Sequence, residues 1–146
     1  IPIVGKLKTK VILTEITRTL ALLVEAGISI VEALEIVSGA ADNVIFSQSL
    51  KKAAKDVEKG IPLAAAIGQF EQYPPLVPQM IAVGEETGKI DEVLLNVSTY
   101  FESESAQAVK GLTTAIEPLM MILLGIGVAF LVIAIILPIY NLTSQF

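Results

Sequence analysis

Cysteine, histidine and tryptophan are absent from all 146 residues, and each absence closes a class of function. Without histidine the usual general base near neutral pH is missing, and with it a common zinc ligand. Without cysteine there is no thiol nucleophile and no disulfide, which fits a reducing compartment. Aromatic residues make up 5% of the chain, and ten Lys and Arg stand against fifteen Asp and Glu, a net charge of −5. Nucleic-acid binding needs a basic footprint, so none is expected here. Charge is also missing over one long stretch. From Pro118 to the last residue no charged side chain occurs, so all the formal charges fall within the first 117 positions.

What is there in abundance is apolar. Hydrophobic residues reach 53% and the mean hydropathy is +0.72, too high for an ordinary soluble domain. Residues 119–137 read LMMILLGIGVAFLVIAIIL, without a charge, an amide or a hydroxyl. As a helix, nineteen residues extend roughly 28 Å, close to the hydrocarbon thickness of a bilayer. Thirteen are Leu, Ile, Val or Phe, together favouring insertion by roughly 4–8 kcal/mol. The alternative is a buried core helix, but the remaining sequence offers no shell of comparable size. Lys110 stands on the amino-terminal side and nothing charged follows the apolar span, so the basic-residue bias puts residues 1–117 in the cytoplasm and 118–146 in the membrane and a short tail. Lys6, Lys8 and Lys10 fit a segment that has just left the membrane on the same side, or equally a solvated terminus. Gly125 and Ala129 form a small-xxx-small face where another membrane helix could approach. The chain opens on Ile1 without a signal-peptide pattern and reads as a piece of something longer.

The first 117 residues show helical periodicity and no strand alternation. Leu13, Ile16, Leu20, Leu23 and Val24 mark a first helix ending near Gly27. Ser29, with Glu32 three residues on, forms a capping box for a second, whose stripe is Ile30, Leu34, Val37 and Ala41. Asp42 or Asn43 caps a third helix with Phe46, Leu50, Ala53 and Val57 inward; Gly60 ends it, and Pro62 suits the first turn of a short fourth. The run QYPPLVP (72–78) predicts a turn, with Pro78 opening the fifth helix. From Ile90 the pattern runs through Val93, Leu94, Val97, Tyr100, Phe101, Ala108, Leu112, Ala115 and Ile116 into Glu117, Pro118 and the apolar run. This predicts one helix of nearly fifty residues, kinked around Pro118. GISIVEAL (27–34) and GIPLAAAI (60–67) echo each other 33 residues apart; a helical-repeat adaptor anchored to a membrane is one explanation, and a recurring helix-junction grammar is the other.

The segment GEETGK (84–89) looks like part of a phosphate-binding loop. Such a loop needs four residues between its glycines and a hydroxyl after the lysine. Here Gly84 and Gly88 enclose three, Ile90 stands where the hydroxyl belongs, and Glu85 and Glu86 would repel phosphate. As an elbow between antiparallel helices the segment is coherent: Gly88 gives the reversal, and Asp91 and Glu92 suit the first turn that follows. The free N–H groups of that next helix are the expected partners of Glu85 and Glu86; a cation or partner site is the rival use. With no cleft, base or metal set in the pattern, no catalytic, metal or cofactor residue is assigned.

The stretches AGISIVEAL (26–34), YPPLVPQMIAVGEETGKIDEVL (73–94), YFESE (100–104) and EPLMMILLGIGVAFLVIAIILPIYNL (117–142) together resemble the inner-membrane platform proteins of type IV pili and type II secretion, the PilC/GspF family. The resemblance covers nearly the whole chain; Thr87 stands where members often carry Ser or Ala. It implies an all-α fold, an antiparallel bundle of about six helices whose last continues into a transmembrane helix. It implies a non-enzymatic scaffold in the bacterial inner membrane, coupling a hexameric assembly ATPase to insertion or extraction of pilin or pseudopilin subunits. Other inner-membrane components and further copies of the chain are implied as partners. Gly27, Gly84, Glu85, Glu86, Gly88, Glu117, Pro118 and Pro138 are the expected structural or partner positions.

Overall fold

The joints that end in Ser29 and Asn43 are short because each of these side chains caps the next helix. The computed structural model describes residues 2–145 and contains six helices: α1 Pro2–Glu25, α2 Ile30–Ala40, α3 Val44–Glu58, α4 Leu63–Gly68, α5 Leu76–Thr87 and α6 Ile90–Ser144. Among the described residues there is no strand. Ser29 caps α2 by accepting from the Glu32 amide at 3.3 Å, and Asn43 caps α3 by accepting from Ile45 and Phe46 at 2.9 and 3.3 Å. Of the two candidate caps before α3, the side chain on the amides is therefore Asn43.

The chain divides into two compact units after Ser105. The first unit has a core to which every helix contributes. Leu13 of α1, Leu34 of α2, Leu50 of α3, Leu63 of α4, Val77 of α5 and Leu94 of α6 are all buried almost completely. Burying a side chain of this size is worth about 1.5–3 kcal/mol, so these positions define the fold more than any surface contact does. Tyr73 packs edge-on against Phe46 and Phe70, with ring centroids 5.3 and 6.3 Å apart. Its hydroxyl lies 2.7 Å from Ser49 Oγ. Because Ser49 donates its one proton to the Phe46 carbonyl, Tyr73 is the donor in that pair.

Two expectations are corrected in this unit. The turn after Gln72 is shorter than the prolines suggested: α5 begins at Leu76, and Pro78 lies in its first turn rather than opening it. The first four amides of a helix have no intrahelical partner, so a proline there removes no hydrogen bond. The fourth helix begins at Leu63 with Pro62 as its cap residue, one position outside the first turn.

In the second unit, Ala106–Phe146, residues 106–144 are the rest of α6. The helix is longer than the sequence pattern predicted, 55 residues from Ile90, and runs through both Pro118 and Pro138. The inward pattern ends earlier than expected. Phe101 is buried, but Tyr100, Leu112 and Ile116 are 48%, 41% and 54% exposed. An apolar period in a helix marks a face that needs covering; it does not say that the cover lies within the same chain. The apolar run is likewise uncovered: the most hydropathic window of α6 is 0% buried. The helix is thus long and apolar enough to cross a membrane, and no core encloses it.

Candidate functional site

Glu85, near the end of α5, ties that helix to α4. Its carboxylate accepts hydrogen bonds from the backbone amides of Leu63 and Ala64, the second at 3.2 Å. Those amides are the first two of α4, whose cap residue Pro62 supplies no side-chain acceptor. A carboxylate at a helix N-terminus satisfies orphan donors and meets the positive end of the helix dipole. This corrects the expected partner: Glu85 caps α4, more than twenty residues back, rather than the helix that follows it. Glu86, one residue on, points to solvent. Adjacent helix positions diverge by about 100°, so both carboxylates cannot face the same amides.

The two glycines of the elbow do different work. Gly88 adopts φ 72°, ψ 21° as the C-cap of α5, and its amide and that of Lys89 both return to the Gly84 carbonyl, the latter at 2.9 Å. The left-handed region is reached by glycine without strain, and this ring of bonds closes the helix and reverses the chain. Gly84 is buried where α5 meets α6. A Cβ there would stand 3.1 Å from the Ile90 Cα and 3.2 Å from the Val93 Cβ. The close approach of the two helices therefore needs a residue with no side chain. Asp91 and Glu92 occupy the first turn of α6, as the dipole prefers.

Further ties lie elsewhere in the first unit. Lys10 pairs with Glu104 at 3.2 Å, and Arg18 pairs with Glu102; both glutamates belong to the YFESE stretch. Asp56 accepts from Gln69 Nε2 at 2.8 Å and from Lys52 Nζ at 3.2 Å, and these two contacts, Gln69 first, hold its carboxyl below the ordinary range. Burial pushes the Tyr73 hydroxyl up to about 12, against the smaller opposing effect of Ser49.

The remaining expected positions are not gathered at the elbow. Gly27 sits at the α1–α2 joint with φ 92°, its amide and that of Ile28 returning to Val24 and Leu23. Gly60 repeats this arrangement at φ 95° with Val57 and Asp56, so the echo in sequence is one joint built twice. Glu117, Pro118, Gly125, Ala129 and Pro138 all lie in the second unit, exposed along α6. Around Pro118, which cannot donate to the Thr114 carbonyl, Thr113 and Thr114 donate their hydroxyls to Val109 and Lys110. Sequence reasoning missed the reach of Glu85 to α4. The signal was present: Ser29 and Pro62 occupy equivalent places in the two joints, and only the first carries an oxygen to cap its helix.

The profile of the family described as "Type II secretion system (T2SS), protein F" matches residues 16–138. The chain belongs to this family. Among curated members of the T2SS protein F group and its pilus relatives, it is 40% identical over 143 residues to the "Type IV pilus assembly protein PilC" of Thermus thermophilus, covering 97% of this chain and 35% of that protein. It is 39% identical over 142 residues to the protein of the same name from Pseudomonas aeruginosa, 97% of this chain and 38% of that one. It is 32% identical over 142 residues to the "Type II secretion system protein F" of Xanthomonas campestris pv. campestris, 97% and 35%. The chain thus spans about a third of the length of these relatives.

Proposed function

We propose that this chain is part of an inner-membrane platform of a type IV pilus or type II secretion machine. Residues 1–117 form the cytoplasmic part, and residues 118–146 form the membrane helix and a short tail. In this reading the bundle receives movement from a cytoplasmic assembly ATPase and passes it to pilin or pseudopilin subunits. The chemistry stays with the ATPase. The observation that carries the proposal is a bundle tied by caps and ion pairs that belongs to the same chain as an uncovered apolar helix of membrane length. Family membership supports it, because relatives that match nearly the whole chain are named for pilus assembly and type II secretion. The elbow supports the mechanical part: Gly84, Glu85 and Gly88 join α4, α5 and α6, so a push on one of them is felt by the others.

The test is in-cell photocrosslinking from exposed positions of the bundle such as Glu35, Lys51 and Glu86. Capture of an assembly ATPase from at least one face is expected. Capture of no component of a pilus or secretion machine from any face would refute the proposal.

A further inference from the structure

Among the described residues, the ion pairs that join different helices are Lys10–Glu104 and Arg18–Glu102, both between α1 and α6. The others, Lys52–Asp56 and Lys89–Glu92, link neighbours along the chain. Both α6 partners stand just before Ser105, where the first unit ends. At about 100° per residue, Ser98, Phe101 and Ser105 share one stripe of α6, with Glu102 and Glu104 on either side of it. The stripe faces inward: Ser98 and Phe101 are buried, and so is the Ser105 hydroxyl oxygen. Ser98 donates back to the Leu95 carbonyl at 2.6 Å. Ser105 finds no partner among the described residues. An open groove of about 440 Å³, with Gly5, Thr9, Leu13, Pro74 and Phe101 among its walls, runs between α1 and this end of α6.

We propose that residues 102–105 of α6 form a latch, closed on α1 by the two ion pairs and able to lift while the rest of the bundle stays folded. The paired side chains are 32–58% exposed, so water and salt screen them and each pair holds weakly. A buried hydroxyl without an acceptor is a cost of the closed arrangement, and it disappears once water reaches Ser105. The residues before it behave differently. Leu94, Val97 and Phe101 belong to the core, and lifting them would open the whole unit. Opening therefore begins after Phe101, where few buried contacts oppose it. In the machine, the latch sets how much of α6 moves as one piece with the bundle. That use rests on the function proposed above; the latch itself does not.

The chain has no cysteine, so Ser105→Cys places a lone thiol of similar size at the buried position. The rate of its reaction with a maleimide, measured in the intact protein in detergent and free of other cysteines, reads the opening. In dilute salt it should be many times slower than Lys51→Cys, an exposed position. At about 1 M salt, where the Debye length is about 3 Å, it should rise several-fold while Lys51→Cys stays unchanged. Lys10→Gln with Arg18→Gln should give the fast rate already in dilute salt. Loss of nearby cations by itself slows a thiol, so acceleration reports exposure. Adding Glu104→Lys to Lys10→Glu should restore the slow rate that Lys10→Glu loses. A parent rate equal to that of Lys51→Cys, indifference to salt, or no acceleration in the double Gln variant would overturn the proposal. Should that variant unfold altogether, the salt series on Ser105→Cys decides. Failure here leaves the platform reading standing, and failure of the photocrosslinking leaves the latch standing.

Discussion

Replacing Glu85 by Ala removes the acceptor of two amides, Leu63 and Ala64, and the cost can be worked from the contacts. Loss of a helix N-cap costs about 0.5–2 kcal/mol, and hydrogen bonds to a charged group contribute about 1.5–3 kcal/mol each in favourable settings. Glu85 is half-buried, which puts it towards the lower end. It also lies near the C-terminus of α5, where a negative charge costs about 0.3–1 kcal/mol, and that cost is relieved on substitution. The balance is a destabilisation of about 1–2 kcal/mol, or about 5–15 °C in Tm for a domain of roughly 100 residues. Glu85→Gln keeps one good acceptor and should lose about half as much, while Glu86→Ala, on an exposed side chain, should change nothing measurable. The diagnostic step is a second substitution. Ser29 caps α2 from φ −62°, ψ 151°, and Pro62 holds φ −58°, ψ 143° at the matching place before α4. Pro62→Ser should therefore stabilise the Glu85→Ala protein more than the parent, a coupling readable in a double-mutant cycle. The assays are thermal unfolding in detergent and hydrogen exchange at the Leu63 and Ala64 amides. Unchanged protection of those amides in Glu85→Ala, or the same effect of Pro62→Ser in both backgrounds, would refute the reasoning.

Other expectations follow from single contacts. Gly84→Ala places a methyl 3.1 Å from backbone at Ile90, which cannot swing aside as a side-chain tip could; it should cost about 1–3 kcal/mol by overpacking in the same unfolding assay. Gly125→Ala, with open space around it, should be neutral there. Gly88→Val forces a β-branched residue into the left-handed region at φ 72° and should impair assembly in cells more than Glu85→Gln; equal and mild defects would count against a mechanical elbow. Tyr73 titrates near 12 when folded and near 10 when unfolded. Its raised value means that stability is fully present below pH 10 and declines as the pH rises towards 12, by about 2–3 kcal/mol. Denaturant unfolding at both pH values should show that extra loss in the parent and not in Tyr73→Phe.

The parts of the fold legible from sequence were those set by neighbours along the chain. Ser29 and Asn43 announce helix starts by their own oxygens, Gly27, Gly60 and Gly88 announce ends by the conformation they permit, and Leu13, Leu34, Leu50 and Leu94 fall on inward stripes of period 3.6. The start of α5 was misplaced because a proline in a first turn and a proline in a loop look alike until the amides are counted. The partner of Glu85 was misplaced for a different reason. Its dipole and local spacing point to the next helix, while the donors it meets come from a helix brought near by the packing of Leu63, Val77 and Leu94. The same limit applies after Phe101. Periodicity identified an apolar side of α6 correctly, but burial depends on a cover, which periodicity cannot supply.

The central proposal is that the bundle is held to one side of a bilayer by α6. Cysteine accessibility in sealed inner-membrane vesicles and in intact cells tests this most directly, with single cysteines at Lys51, Val128 and Ser144. The account predicts that Lys51→Cys reacts with an impermeant maleimide only when the cytoplasmic face is open. Val128→Cys should resist the reagent in both preparations, and Ser144→Cys should react only from the opposite face. Labelling of Val128→Cys in intact membranes, or of positions 51 and 144 from the same side, would contradict it.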